Sequence, residues 1–344
     1  MHYRSLADLS HSIVRNMHRL PSDIDLIVGI PRSGILAGIT VALLKNIRFT
    51  DLDSLIEGRL SGVGSTKMHA GLVDRIADVR HALVIDDSLN RGFAMQEAKE
   101  RLAELRGAMK LTFAVVYAVP DAGDEIDFFF EAIPLPRLFE WNFSHHSYLS
   151  RSCVIMDAVI CETIERTDQN EADYRHRLLN AAPVYQFTAP IGCLITRRAE
   201  RYRPETEAWL RGAGIQYDRL VMHDGAHSLG VGENDAFVGF TAEIYKSSKS
   251  ILLIESNFGR SKRIAFLSGK PVLSVDEHKI VQPDCFAFIT AKQKVVNALV
   301  NAEIGHSPLV NRQAFRRKVR RIFPSALFRF AKGVIAYRSR KASR

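Results

Sequence analysis

Two adjacent carboxylates, Asp86 and Asp87, stand where the apolar run Ala82-Leu83-Val84-Ile85 ends and the short loop Ser88-Leu89-Asn90-Arg91-Gly92 begins. A carboxylate pair accepts hydrogen bonds from vicinal hydroxyls and so suits a polyol. A loop that closes on glycine and opens a helix offers backbone N–H groups and a positive dipole end, which suit a phosphate. Together the two chemistries describe a sugar phosphate; the plain alternative is a strand ending in a solvated acidic turn. A second loop of this kind lies upstream. Ile30-Pro31-Arg32-Ser33-Gly34 follows Asp25-Leu26-Ile27-Val28-Gly29 and precedes an apolar stretch to Leu44. Its backbone N–H groups face an anion readily, and Arg32 adds a planar guanidinium matched to phosphate oxygens.

Each loop needs a strand before it and a helix after it. The runs before both loops are apolar on both faces, as buried parallel strands are. Met95, Ala98, Leu102 and Leu105 recur at helical spacing after Gly92. An amphipathic helix through Leu6, Leu9, Ile13 and Met17 opens the chain. Strands are expected at 24–29, 46–50, 82–86 and 111–118, with Phe128-Phe129-Phe130 closing this half. Asp51-Leu52-Asp53 reads as a turn or helix cap, and the segments Leu138 to Asn142 and His145-His146 as a bridge. A second α/β pattern has strands near 153–156, 191–195, 219–222, 251–254, 272–275 and 286–289, with a helix from Glu205 to Gly212 and a loop from Gly225 to Gly239. The alternation predicts an α/β chain of two doubly wound parallel-sheet domains, residues 1–148 and 149–300, followed by a tail at 301–344. In such sheets ligands bind at the carboxyl ends of the strands.

The 344 residues suffice for two cores. The four cysteines, Cys153, Cys161, Cys193 and Cys285, have no metal-like spacing, and reduced thiols in the cytoplasm are the expectation. Neither a signal peptide nor a membrane-spanning run is expected. The net charge of +9 belongs to the tail. Arg312 to Arg344 hold twelve Lys or Arg and no acid; subtracting twelve from 47 leaves 35 basic residues against 38 acidic. Phe315, Val319, Ile322 and Phe323 form an apolar helical stripe among these cations, and Leu327, Phe330, Ala331, Val334 and Ile335 resume it after Pro324. Basic amphipathic helices of this kind lie on anionic membranes, each cation contributing about 1 kcal/mol. A partner-docking helix or nucleic acid are the other readings, although nucleic acid would not require the stripe.

The apolar strand, two acids, short loop and glycine resemble the phosphoribosyl-diphosphate (PRPP) motif of type I phosphoribosyltransferases. Residues 30–34 resemble that family's pyrophosphate loop, and the polar, glycine-rich Gly58 to Lys67 its mobile hood. The resemblance implies that Asp86 and Asp87 hold the ribose 2- and 3-hydroxyls. It implies that Ser88, Leu89, Asn90, Arg91 and Gly92 cradle the 5-phosphate, with Asn90 and Arg91 where the family usually has threonines. Pro31, Arg32, Ser33 and Gly34 then take the pyrophosphate, with Arg32, Asp86 and Asp87 as the catalytic set and Lys67 closing from the hood. Mg²⁺ would bridge pyrophosphate and ribose hydroxyls, reached by Asp86 and Asp87 through PRPP or water.

The second half resembles haloacid-dehalogenase-like phosphatases. Asp157 falls on the second acid of that family's first motif, Thr196 on its threonine, Lys246 on its lysine and Glu255 on its later acidic motif, but Ile155 occupies the nucleophile position. Isoleucine cannot form an aspartyl phosphate, so the resemblance implies the fold without the phosphatase chemistry. The order of the two halves resembles fusion proteins of bacterial surface-polysaccharide synthesis. That implies transfer of ribose 5-phosphate from PRPP to a sugar hydroxyl of a lipid-linked or polysaccharide acceptor, with inversion to the β-anomer. A separate phosphatase would act afterwards, and the protein would lie peripherally on the inner face of the cell membrane without binding nucleic acid. A nucleobase phosphoribosyltransferase and a PRPP-sensing regulator without turnover are the alternatives.

Overall fold

A computed structural model describes residues 1–62, 72–165, 170–223 and 233–284; these belong to one compact unit, Met1–Phe286. The chain opens with a short strand, β1 (His2–Arg4), and helix α1 (Leu6–Asn16). Ser5 caps α1, its hydroxyl accepting from the N–H of Asp8 while the Asp8 carboxylate accepts from the N–H of Ser5. This reciprocal pair satisfies two donors that a helix start leaves open.

Five parallel strands follow: β2 (Leu26–Gly29), β3 (Arg48–Asp51), β4 (His81–Ser88), β5 (Lys110–Ala118) and β6 (Phe128–Ala132), in the order β3-β2-β4-β5-β6. Side chains alternate across a strand, and the alternation divides the core in two. Ile27, Leu83 and Ile85 face α1 and α2 (Gly34–Lys45), packing with Leu9, Ile13, Ala37 and Val41. Leu26, Val28, Ala82 and Val84 face α3 (Leu52–Ile56) and α4 (Phe93–Arg101), packing with Leu52, Leu55, Met95 and Ala98. With helices on both faces, the apolar runs read from the sequence are the central strands of a doubly wound sheet.

After β6 the chain forms β7 (Arg137–Phe139), which pairs in parallel with β1. The bridge expected at Leu138 to Asn142 is therefore partly a strand, held by the first residues of the chain. Glu140 fixes it further, accepting from the N–H of Leu6 at 2.7 Å and pairing with His278 at 3.0 Å. The expected boundary at 148/149 falls between β7 and the next strand.

A six-stranded sheet follows: β8 (Ser152–Ile155), β9 (Cys193–Thr196), β10 (Leu220–Met222), β11 (Leu252–Glu255), β12 (Val272–Ser274) and β13 (Lys279–Val281). Its order is β10-β9-β8-β11-β12-β13, parallel throughout except the antiparallel edge β13. Helices α5 (Glu171–Leu179), α6 (Arg203–Gly212), α7 (Glu233–Ser247) and α8 (Phe258–Ser268) connect it. Gly239, expected in a loop, lies inside α7, where the flanking Phe237, Val238 and Ala242 pack into the core. The strand expected at 286–289, residues 63–67 of the hood and the whole tail at 301–344 lie outside the described residues. No helix among the described residues is long and apolar enough to cross a membrane.

Candidate functional site

In the first sheet β3 lies on one side of β2 and β4 on the other. The connections leave β2 and β4 in opposite directions, which opens a crevice at their carboxyl ends, the usual ligand position in such sheets. Both chemistry-bearing loops leave the sheet there. Loop 30–34 leads from β2 into α2, and loop 88–92 from β4 into α4. The loops touch through Gly34. A Cβ at that position would lie 2.7 Å from the carbonyl oxygen of Ile85 and 2.8 Å from Oδ1 of Asp86, closer than packed atoms come, so only glycine lets α2 start against β4.

Four α-helices among the described residues carry a side-chain cap: α1 on Ser5, α3 on Asp51, α5 on Asn170 and α8 on Asn257. The helices opening at the crevice do not. Ser33 stands at the N-cap of α2, yet its hydroxyl donates instead to Oδ1 of Asp87 at 2.8 Å. Gly92 begins α4 in the left-handed conformation, φ 74°, and has no side chain to offer. Two uncapped helix starts thus converge on one crevice, an arrangement that favours anionic oxygens. A cavity of about 290 Å³ beside them is lined by Asp86 and by Ser88 to Met95.

The carboxylates are unequal. Asp87 accepts from Ser33 and, at 2.7 Å, from the indole Nε1 of Trp141. Asp86 is buried and accepts at Oδ1 from the N–H of Asp87 at 2.7 Å. Burial, and then the charge of Asp87, push the Asp86 carboxyl up to about 8. Asp86 thus keeps its proton at neutral pH.

The structure brings Arg32, Ser33, Gly34, Asp86, Asp87 and Ser88 to Gly92 around this crevice. The peptide between Pro31 and Arg32 is cis, and Arg32, Asn90 and Arg91 are exposed. Leu89 lines the cavity, but it does not fit the expected phosphate-cradling role. Its N–H donates to the carbonyl of Tyr117 at 2.8 Å, its carbonyl accepts from buried Arg137, and its side chain is in the core. It anchors the loop from below. Lys67 lies outside the described residues. Sequence reasoning missed Trp141 and Arg137, both of which arrive from the β7 segment. Trp141 stacks on Phe139, rings 4.8 Å apart and nearly parallel, with Tyr117 beyond. Spacing could not have revealed a contact spanning 54 residues. Asp51 is the helix cap expected of it, accepting from Ser54. His145 and His146 are junction residues, bonded to Thr188 and Tyr148.

In the second sheet, Ile155 ends β8 and is buried. Asp157 and Thr196 meet. The Thr196 hydroxyl donates to Oδ2 of Asp157 at 2.8 Å, and the N–H of Arg197 donates to the same oxygen at 2.9 Å. Glu255 ends β11 fully buried, gripped by Arg260 through Nε and Nη2. Lys246 departs from its expected place. It is exposed on the last turn of α7, at the amino-terminal end of the sheet, so it stands away from Asp157. Arginines 197 and 260 occupy the mouth instead.

The raised Asp86 carboxyl has a measurable consequence. The folded chain keeps a proton that the unfolded chain releases above the ordinary value of 3.8. Folding stability contributed by this group therefore falls as pH rises from about 4 to about 8, then levels. Relative to the wild type, Asp86→Asn should gain stability as pH rises from 5 to 8, by about 2 kcal/mol or more. Urea unfolding of both proteins at the two pH values reads this directly; an unchanged difference would mean Asp86 is ionised throughout.

No family model matches the chain, and no curated protein matches it. Solved structures do resemble it. A xanthine-guanine-hypoxanthine phosphoribosyltransferase of Helicobacter pylori is 16% identical over 41% of this chain and 92% of its own, with a TM-score of 0.31. A purine phosphoribosyltransferase of Pyrococcus horikoshii is 18% identical over 40% of this chain and 92% of its own, with a TM-score of 0.29. A hypothetical protein of Neisseria gonorrhoeae, solved with bound ppGpp, is 14% identical over 41% of this chain and 89% of its own, with a TM-score of 0.30.

Proposed function

We propose that this chain is a PRPP-dependent phosphoribosyltransferase whose acceptor is a sugar hydroxyl of a lipid-linked or polysaccharide glycan. The convergence of two uncapped helix starts on an unequal carboxylate pair, at the switch point of the first sheet, carries the reading. PRPP has two phosphate ends joined by a diol, and this crevice has two anion-favouring starts separated by two acids. Asp87, held at both oxygens by Ser33 and Trp141, presents a fixed acceptor to the ribose hydroxyls. The start of α4 takes the 5-phosphate. The start of α2 and Arg32 take the pyrophosphate and stabilise the charge that grows on it as the C1–O bond breaks. Attack from the opposite face inverts C1, giving the β-ribofuranosyl 5-phosphate and releasing pyrophosphate.

Asp86 and Asp87 supply hard carboxylate oxygens, the donor class Mg²⁺ takes. Among the described residues no group of three or more His, Cys, Asp or Glu gathers to cage a metal. Asp86 and Asp87 would reach Mg²⁺ through PRPP or water. When bound it neutralises pyrophosphate charge.

The acceptor assignment draws on the tail, whose twelve cations and apolar stripe suit the anionic membrane where lipid-linked glycans are built. A nucleobase acceptor would use the same crevice and needs no tail. Replacing Asp86 and Asp87 together with Asn should abolish PRPP-dependent transfer while circular dichroism and the unfolding midpoint show an intact fold. Turnover at the wild-type rate would remove the site assignment. Incubation with PRPP, Mg²⁺ and either purine and pyrimidine bases or a lipid-linked glycan separates the acceptors, since only the glycan should release pyrophosphate.

Deleting residues 312–344 should release the protein from anionic vesicles in a flotation assay and lower transfer to lipid-linked acceptors. Transfer to a short soluble glycan should survive. Raised salt should weaken vesicle binding without abolishing it, because screening acts on the charges and leaves the stripe. A truncated protein that still floats would overturn the membrane reading.

A further inference from the structure

The pairing of β8 with β9 brings two cysteines together. Cys153 is the second residue of β8 and Cys193 opens β9, and the two are direct register partners in the parallel ladder. Paired strands run about 4.8 Å apart, inside the Cα separation that a disulfide spans. Partners in register present their side chains to the same face of the sheet. The strand starts are held together through Gly192, whose N–H donates to the carbonyl of Leu149 at 2.9 Å and where a Cβ would collide with the carbonyl oxygen of Ser150. Both thiols are free, and they lie at the amino-terminal end of the sheet, opposite the end that carries Asp157.

The two sulfurs have different surroundings. Cys193 is 5% exposed, and Nη2 of Arg219, an exposed residue just before β10, donates to its sulfur at 3.5 Å. The hydrogen bond from Cys153 lowers the Cys193 thiol well below its ordinary value, and Arg219 lowers it further against the opposing effect of burial. A low-pKa thiol beside a guanidinium, just beneath the surface, is of the reactive kind. Cys153 is fully buried, with Oγ of Ser250 at 3.3 Å and Oγ of Ser248 at 3.9 Å from its sulfur. Lys270 fixes that segment, its Nζ donating to the carbonyls of Tyr245, Ser248 and Ser250 at 2.8, 2.7 and 3.2 Å. The bond to Cys193, and then burial, push the Cys153 thiol up, so it keeps its proton while Cys193 loses its own. Cys161 differs from both. Burial pushes it up to about 12, and its bridge partners are Asp157 and Pro183.

We infer that Cys193 and Cys153 are a peroxide-responsive pair, Cys193 the attacking sulfur and Cys153 the resolving one, which closes a reversible disulfide between the starts of β8 and β9. The Cys193 thiolate attacks one oxygen of a hydroperoxide. The S–O bond forms as the O–O bond breaks, and the departing oxygen takes up a proton, leaving a sulfenic acid on Cys193. The Cys153 sulfur then attacks the Cys193 sulfur. The S–S bond forms, the S–O bond breaks, and the released hydroxide leaves as water with the Cys153 proton. Two thiols lose two electrons in all, and the peroxide that accepts them is reduced. A thiol reductant reopens the disulfide by exchange, so the pair suits a reducing compartment, where such bonds are transient. It lies on the second sheet and does not depend on what the first crevice binds.

The test treats the full chain with hydrogen peroxide and then blocks free thiols with N-ethylmaleimide. The unreduced chain is cut with trypsin and with a protease specific for Asp, whose site at Asp157 separates Cys153 from Cys161. Mass spectrometry should find the Cys153 peptide joined to the Cys193 peptide, lighter by two hydrogens, and dithiothreitol should part them. Cys153→Ser should leave a sulfenic acid on Cys193 that dimedone traps, whereas Cys193→Ser should leave Cys153 unmodified. Arg219→Gln, an exposed change, should slow the linkage about threefold or more, because less of Cys193 is then thiolate; this arm decides the matter should the buried serine variants fail to fold. In urea the unfolded chain should lose the preference for this pair. The proposal is overturned by thiols that stay free in excess peroxide, by linkage through Cys161 or Cys285 instead, by a rate indifferent to Arg219, or by the same pairing preference in urea. None of these results bears on PRPP binding at the first site.

Discussion

The structure depends on one close approach, that of Gly34 to the end of β4. Because Gly34 has no side chain, the first turn of α2 rests directly on the backbone of Ile85 and Asp86. Gly29 and Gly38 serve the same packing: a Cβ at Gly29 would meet Cα of Ile35 at 2.8 Å, and one at Gly38 would meet the ring of Phe49 at 2.9 Å. The helix is thereby pressed onto the carboxyl ends of β2 and β4. Ser33 comes within bonding distance of Asp87, and that contact uses the hydroxyl that would otherwise cap α2. One glycine contact therefore accounts for a short distance between the loops, a fixed carboxylate and an uncapped helix start.

The rest of the chain stabilises this corner from outside. The β7 segment supplies Arg137 beneath the 88–92 loop and Trp141 to Asp87. It is itself held by pairing with β1 and by Glu140, which reaches both the first turn of α1 and His278 beside the second sheet. Each sheet places its polar residues at its own switch point, but the chemistry differs. The first crevice has uncapped helix starts and few fixed cations. In the second, Asn257 caps α8 and the positive charge comes from arginine side chains.

Much of this was legible in the sequence because both signals are local. Ala82 to Ile85 and Leu26 to Val28 are apolar on consecutive residues, and only a strand covered on both faces tolerates that pattern. The glycines after them marked both loops, and the acid pair marked the polyol chemistry. Side-chain contacts across the fold were not legible. Trp141 and Arg137 are ordinary residues of a short aromatic segment until β1 pairs with β7 and aims them. Leu89 read as part of a phosphate cradle because spacing cannot show that its N–H reaches Tyr117. Order along the chain made Lys246 a candidate site lysine, whereas α7 runs back antiparallel to the strands and carries it in its last turn to the amino-terminal end of the sheet, just before β11.

The most direct measurement is calorimetric titration of the intact protein and of Gly34→Ala with PRPP and Mg²⁺. The account predicts one saturable site in the wild type, competed by pyrophosphate with Mg²⁺. It predicts loss of that binding in a Gly34→Ala protein that remains folded, because the added methyl drives α2 off β4. Gly34→Ala binding PRPP as tightly as the wild type, or a wild type that does not bind PRPP, would contradict it.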